Sequence, residues 1–77
     1  MASFELSLPA AGLVRLLVVD VTGRLVRQLH DGVVSAGEQR LTWDGRDSQG
    51  RPVDGGVYLV RVSTVDGIVT GRIVIAR

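Results

Sequence analysis

Apolar residues recur at every second position through most of this chain, and glycine, aspartate or proline interrupts each run before it reaches helical length. Period-two alternation puts successive side chains on opposite faces of an extended strand, whereas an amphipathic helix needs a 3.6-residue period. The pattern therefore predicts consecutive antiparallel strands joined by short turns. Six strands are expected, over residues 3–8, 13–21, 24–30, 38–43, 57–64 and 68–76. Phe4, Leu6 and Leu8 share one face of the first, and Pro9 ends it. Val14, Leu16 and Val18 form the inward row of the second. Thr22-Gly23 turns into the third strand, which Asp31-Gly32 is expected to close. Leu41 and Trp43 share a face of the fourth, with Trp43 the largest core anchor. Residues 44–56 are dense in Gly, Asp and Pro and read as a long ordered turn at a corner between sheets. Asp66-Gly67 then joins the last two strands as a hairpin, with Ile73 and Ile75 inward.

Turn signals spaced about every 8 to 12 residues, with one Trp inside a strand, fit an all-β chain: a small immunoglobulin-like β-sandwich of six to seven antiparallel strands. A chain of 77 residues has surface enough for one core, so a single domain over 1–77 is expected. With no cysteine, that core has no disulfide to staple it and rests on packing. The net charge of +1, with arginines spread along the chain and no lysine, lacks the basic stripe of a nucleic-acid binder. No apolar run approaches the ~20 residues of a membrane span, and Met1-Ala2-Ser3-Phe4 has no signal-peptide character.

The residues Val18-Val19-Asp20-Val21-Thr22-Gly23-Arg24-Leu25-Val26-Arg27, then Ala36-Gly37, then Trp43-Asp44-Gly45-Arg46-Asp47 with Gly50, then Gly55-Gly56-Val57-Tyr58 carry a further signal. In that order they resemble the FlgD-type immunoglobulin-like domain, named from the flagellar hook-capping protein. The chain is also similar to the C-terminal sorting domains of type IX secretion, and its ending Arg72-Ile73-Val74-Ile75-Ala76-Arg77 matches how such modules finish. The middle loop, with its Trp-Asp-Gly-x-Asp element, leans toward the FlgD-like form. The resemblance implies a protein-interaction or C-terminal accessory or sorting module of an exported bacterial protein, extracellular or periplasmic, or else a structural, hook-cap-like assembly subunit.

The candidate chemistry is thin. Asp44, Asp47 and Asp54 offer hard oxygen ligands, but their spacing does not fit an EF-hand loop. Asp44 and Asp47 are expected instead to accept backbone N–H bonds and hold the turn, and Asp20 either to bond turn amides at the first hairpin or to pair with an arginine such as Arg24. His30 beside Asp31 is no part of a triad, since adjacent strand residues point to opposite faces; it reads as a solvated side chain at a strand end. No catalytic residue, cofactor site or metal site is assigned, so no enzyme is expected. Carbohydrate binding is disfavoured, because Phe4, Trp43 and Tyr58 all occupy strand positions suited to core packing.

One anomaly remains in the second strand. Leu17, Val19 and Val21 make its outward row apolar too, as where a face is covered twice or meets a partner. These three residues form the candidate contact patch, with Val21 at its rim, the alternative being scattered surface apolars that need no explanation. The expected partner is protein, either other parts of a parent chain or a second copy.

Overall fold

The computed structural model of the chain describes residues 2–76, so Met1 and the basic terminal residue Arg77 lie outside the described residues. Six strands follow in order: β1 (Ala2–Leu8), β2 (Gly12–Asp20), β3 (Leu25–Val34), β4 (Gly37–Trp43), β5 (Gly56–Thr64) and β6 (Gly67–Ile75). All pairings are antiparallel. A two-stranded sheet, β1-β4, covers one face of a four-stranded sheet ordered β3-β2-β5-β6, which is the expected all-β, immunoglobulin-like sandwich. The two hairpins, β2-β3 and β5-β6, lie within the larger sheet. Residues 44–56 carry the chain from the small sheet back to the large one, as their turn-rich composition predicts.

Alternation decides what is buried. In β1, Phe4, Leu6 and Leu8 are half-buried while Ser3, Glu5 and Ser7 are exposed. Leu16, Val18, Trp43, Tyr58, Val60 and Ile73 form the core cluster, with Phe4, Leu41 and Ile75 packed against it. Val14, Leu16, Val18 and Trp43 are the side chains most completely removed from water. Trp43 and Tyr58 meet edge to face, their ring centroids 5.4 Å apart, an arrangement favoured by the aromatic quadrupoles.

Two expectations need correction. β3 does not end at Asp31-Gly32 but continues to Val34, with Arg15 opposite Asp31 and Val14 opposite Gly32. The cause is a pair of register shifts, between Leu16 and Leu17 and between Val18 and Val19, which are bulges that absorb extra residues without reversing the chain. The same shifts bring His30 opposite Leu16, on the core-facing row. His30 is therefore half-buried rather than solvated, and its Nε2 is buried with no hydrogen-bond partner.

Candidate interaction surface

Asp20 organises the turn between β2 and β3. Its Oδ1 accepts the backbone N–H of Thr22 at 2.9 Å, the Thr22 hydroxyl at 2.6 Å and the backbone N–H of Arg24 at 3.0 Å. Gly23, at a φ of 88° that a side chain would resist, donates its N–H to the Asp20 carbonyl at 3.0 Å. The Thr22 hydroxyl bond is the largest influence on the Asp20 carboxyl, and with the backbone N–H groups of Arg24 and Thr22 it holds that carboxyl below the usual aspartate range.

The long loop repeats this turn. Asp47 Oδ1 accepts the N–H groups of Gln49 at 2.9 Å and Arg51 at 3.0 Å. Gly50 donates to the Asp47 carbonyl at 3.0 Å, and the Asp47 N–H reaches the Arg51 carbonyl at 2.8 Å. The backbone bond from Arg51 leads in lowering the Asp47 pKa. Asp44 plays a different part: its Oδ1 takes the Arg46 N–H at 3.0 Å and pairs with the Arg27 guanidinium at 2.8 Å. Partial desolvation pushes this carboxyl up, but the Arg46 N–H and the Arg27 charge outweigh it and the net direction is down.

The loop is also tied to the core. Trp43 Nε1 donates to the Arg46 carbonyl at 2.9 Å, and the Tyr58 hydroxyl donates to the Asp54 carbonyl at 2.6 Å. Both aromatic rings are thus buried with their polar atoms satisfied. The two Asp turns flank a shallow depression of about 500 Å³ that Asp54 and Tyr58 also line. Among the described residues no three His, Asp or Glu side chains come close enough together to hold a metal ion. The carboxylates support the turns instead.

Of the other sequence candidates, Leu17 and Val19 lie on the face of the large sheet turned away from β1-β4, and Val21 follows β2 in the turn to β3. Across the ladders, Leu17 sits opposite Gln28 and Arg61, and Val19 opposite Leu25 and Leu59. Leu17 is half-buried and Val21 is 69% exposed. Val19 is only 3% exposed, because the longer Leu25 and Leu59 flank it on both sides of a central strand. The surface of this face is therefore carried by residues that the sequence pattern did not single out: Leu13, Leu25, Val33, Val57, Ile68 and Val74, all exposed. Leu13, Val57, Ile68 and Val74 keep a period of two within their strands, but the bulges break that period between Leu25 and Val33, and the common face emerges only from the pairing register. Its charged residues are Arg15, Arg61, Arg72 and Asp31; Arg15 and Asp31 approach to 3.9 Å with both side chains well solvated, a pair of little energetic weight.

The layered sheets, the buried Trp–Tyr pair and the Asp-capped turns define a small immunoglobulin-like module whose most distinctive surface is an apolar sheet face. The chain belongs to the FlgD Ig-like domain family, whose model matches residues 2–67. It is 36% identical over 50 residues to the basal-body rod modification protein FlgD of Salmonella typhimurium, covering 65% of this chain and 22% of that protein, and equally to the FlgD of Salmonella typhi. The chain thus spans about a fifth of the length of those curated relatives. The crystal structure of FlgD from P. aeruginosa superposes with a TM-score of 0.69 at 31% identity, over 95% of this chain and 59% of that one. Among the described residues, no helix is long and apolar enough to cross a membrane.

Proposed function

We propose that this chain is a non-catalytic protein-interaction module of an exported bacterial protein, forming one unit over 1–77 and docking through the outer face of its four-stranded sheet. The observation that carries the reading is the exposure of Leu13, Leu25, Val33, Val57, Ile68 and Val74 on one face, where an antiparallel sheet open to water is ordinarily polar. Grouped apolar surface of this kind marks contact sites. In this reading the contact patch takes in Leu17, with Val19 sealed beneath the surface and Val21 in the adjoining turn.

Within this role, the relatives' name, basal-body rod modification protein, favours a structural or assembly subunit over a sorting signal. Export to the periplasm or the exterior is in keeping with both. The test is a comparison of amide NMR spectra of the isolated domain and of the same domain within its full-length parent protein. Shift changes should concentrate on Leu13, Leu25, Val57 and Val74; changes confined to the chain ends would overturn the reading.

A further inference from the structure

The four strand edges of this sandwich are not equally guarded. β3 is interrupted by two register shifts, and its Val26 carbonyl is taken by the Ser48 N–H of the long loop. β4 carries Glu38, Gln39 and Arg40, while β1 carries Glu5 and runs into Pro9. β6 has no register shift, no proline and no loop bonded to its edge. It pairs with β5 from Gly56↔Ile75 to Thr64↔Gly67, has Arg72 as its single charge, and exposes Ile68, Val69 and Val74 at 65%, 71% and 64%. A long, flat, apolar edge of this kind is a template for strand pairing. Its residues 68–75 also lie beyond the part of the chain that the family match covers.

The backbone groups free on that edge can be named. Asp20 directs its N–H and C=O toward the β3 side, to Arg24 and Gly23, so the odd-numbered residues of β2 bond β5. Carried through Leu17↔Arg61 and Gly71↔Val60, this alternation makes odd-numbered residues of β6 bond β5. Ile68, Thr70, Arg72 and Val74 therefore point their N–H and C=O groups out of the sheet.

We propose that β6 pairs antiparallel with β6 of a second copy about a two-fold axis at Gly71, joining two sandwiches into one eight-stranded sheet. In this register Ile68 bonds the partner's Val74, and Thr70 bonds the partner's Arg72. On the inner row Val69 meets the partner's Ile73. Gly71 meets the partner's Gly71 at a close, non-hydrogen-bonded position, where a Cβ on Gly71 would have no neighbour within 4 Å in the single copy. Apolar residues thus face apolar ones, and no two arginines lie directly opposite each other.

The two-fold also sets both small sheets on the same side of the joined sheet. The groove of about 360 Å³ between β1 and β6, lined by Phe4, Leu6, Leu8, Val62 and Val69, is then turned toward its counterpart. The contact is isologous and closes at two copies, since the bulged β3 edge offers no flat partner for open-ended growth. This pairing engages only the β6 margin of the outer face, at Ile68 and Val74, and leaves Leu13, Leu25, Val33 and Val57 free for the docking role proposed above.

The test combines sedimentation velocity with amide hydrogen exchange over a concentration series of the 77-residue chain. The expected result is a concentration-dependent doubling of mass, accompanied by slower exchange at Ile68, Thr70, Arg72 and Val74. Thr70→Pro removes an outward donor without touching the β5 ladder and should abolish the dimer; Thr70→Lys sets a cation against the partner's Arg72, as well as against Arg61 of its own β5, and should weaken it. Thr70→Glu supplies the opposite charge at two symmetric positions and should lower the dimerisation midpoint about fivefold. A chain that stays monomeric with unchanged exchange, or a dimer that survives Thr70→Pro, would overturn the proposal. The second of those outcomes would point to the outer face, which leaves the docking role standing.

Discussion

Asp20 and Asp47 occupy the same position in two copies of one turn. Each begins an Asp-x-x-Gly-Arg segment, each carboxylate accepts the N–H groups two and four residues ahead, and each turn closes on a glycine with φ of 88° or 80°. The Asp20 turn holds the β2-β3 hairpin, and the Asp47 turn shapes the crossover into β5. Replacing either Asp by Ala removes the side-chain oxygen that accepts both backbone N–H groups, whereas Asn keeps one side-chain oxygen to accept them. Urea midpoints should therefore fall in the order wild type, Asn, Ala at both positions. Equal midpoints for Asn and Ala would mean that the carboxylate geometry is irrelevant to these turns.

Acid should find the same residues. Asp20, Asp44 and Asp47 each titrate below the ordinary aspartate value of 3.8 in the folded chain, so the unfolded chain binds more protons wherever they titrate. The stability they contribute is complete above the unfolded value and is lost as pH falls through the lower folded values. A urea-midpoint profile should thus decline from about pH 5 downward. The triple variant Asp20→Asn, Asp44→Asn, Asp47→Asn should be less stable at neutral pH and show a flatter acid limb; a limb as steep as the wild type's would assign acid sensitivity to other carboxylates.

The aromatic pair supplies a graded test of how the loop is fastened. Tyr58→Phe keeps the edge-to-face packing on Trp43 and loses only the bond to the Asp54 carbonyl, at a cost of about 1 kcal/mol. Trp43→Ala empties the centre of the core, costing about 3–5 kcal/mol, enough to unfold a domain of this size at ambient temperature. Thermal unfolding followed by far-ultraviolet circular dichroism measures both. A Tyr58→Phe loss as large as that of Trp43→Ala would mean that the hydroxyl, not the ring packing, secures the crossover.

Much of this fold is local in origin, which is why it can be read from the chain. The alternation in β1, the inward row Val14, Leu16 and Val18, the Trp43 anchor and the Asp20, Asp44 and Asp47 turns all depend on residues a few positions apart. What escapes such reading depends on register. Val19 alternates as an outward residue yet is sealed between Leu25 and Leu59, and β3 passes through Asp31-Gly32 because bulges adjust its pairing with β2. Neither the bulges nor the shared face of Leu13, Val33 and Val74 has a local signature. The repeat of the Asp20 turn at Asp47 escapes the sequence reading as well, because five residues are too short to stand out as a repeat and only the matched hydrogen bonds make them one unit.

The bulge that redirects β3 leaves one cost in the core. It places His30 opposite Leu16, and Nε2 is removed from water with no partner to accept or donate a hydrogen bond. A buried polar atom without a partner loses its hydration and gains nothing in exchange. Leucine fills a similar space without that atom, so His30→Leu should raise stability by about 1 kcal/mol, read as a higher urea midpoint with an unchanged slope. His30→Ala is the control: it removes the polar atom but also the packing, and should be destabilising. If His30→Leu falls below the wild type as far as His30→Ala does, the imidazole is making a contact that stabilises the sandwich and the orphaned nitrogen carries no net cost.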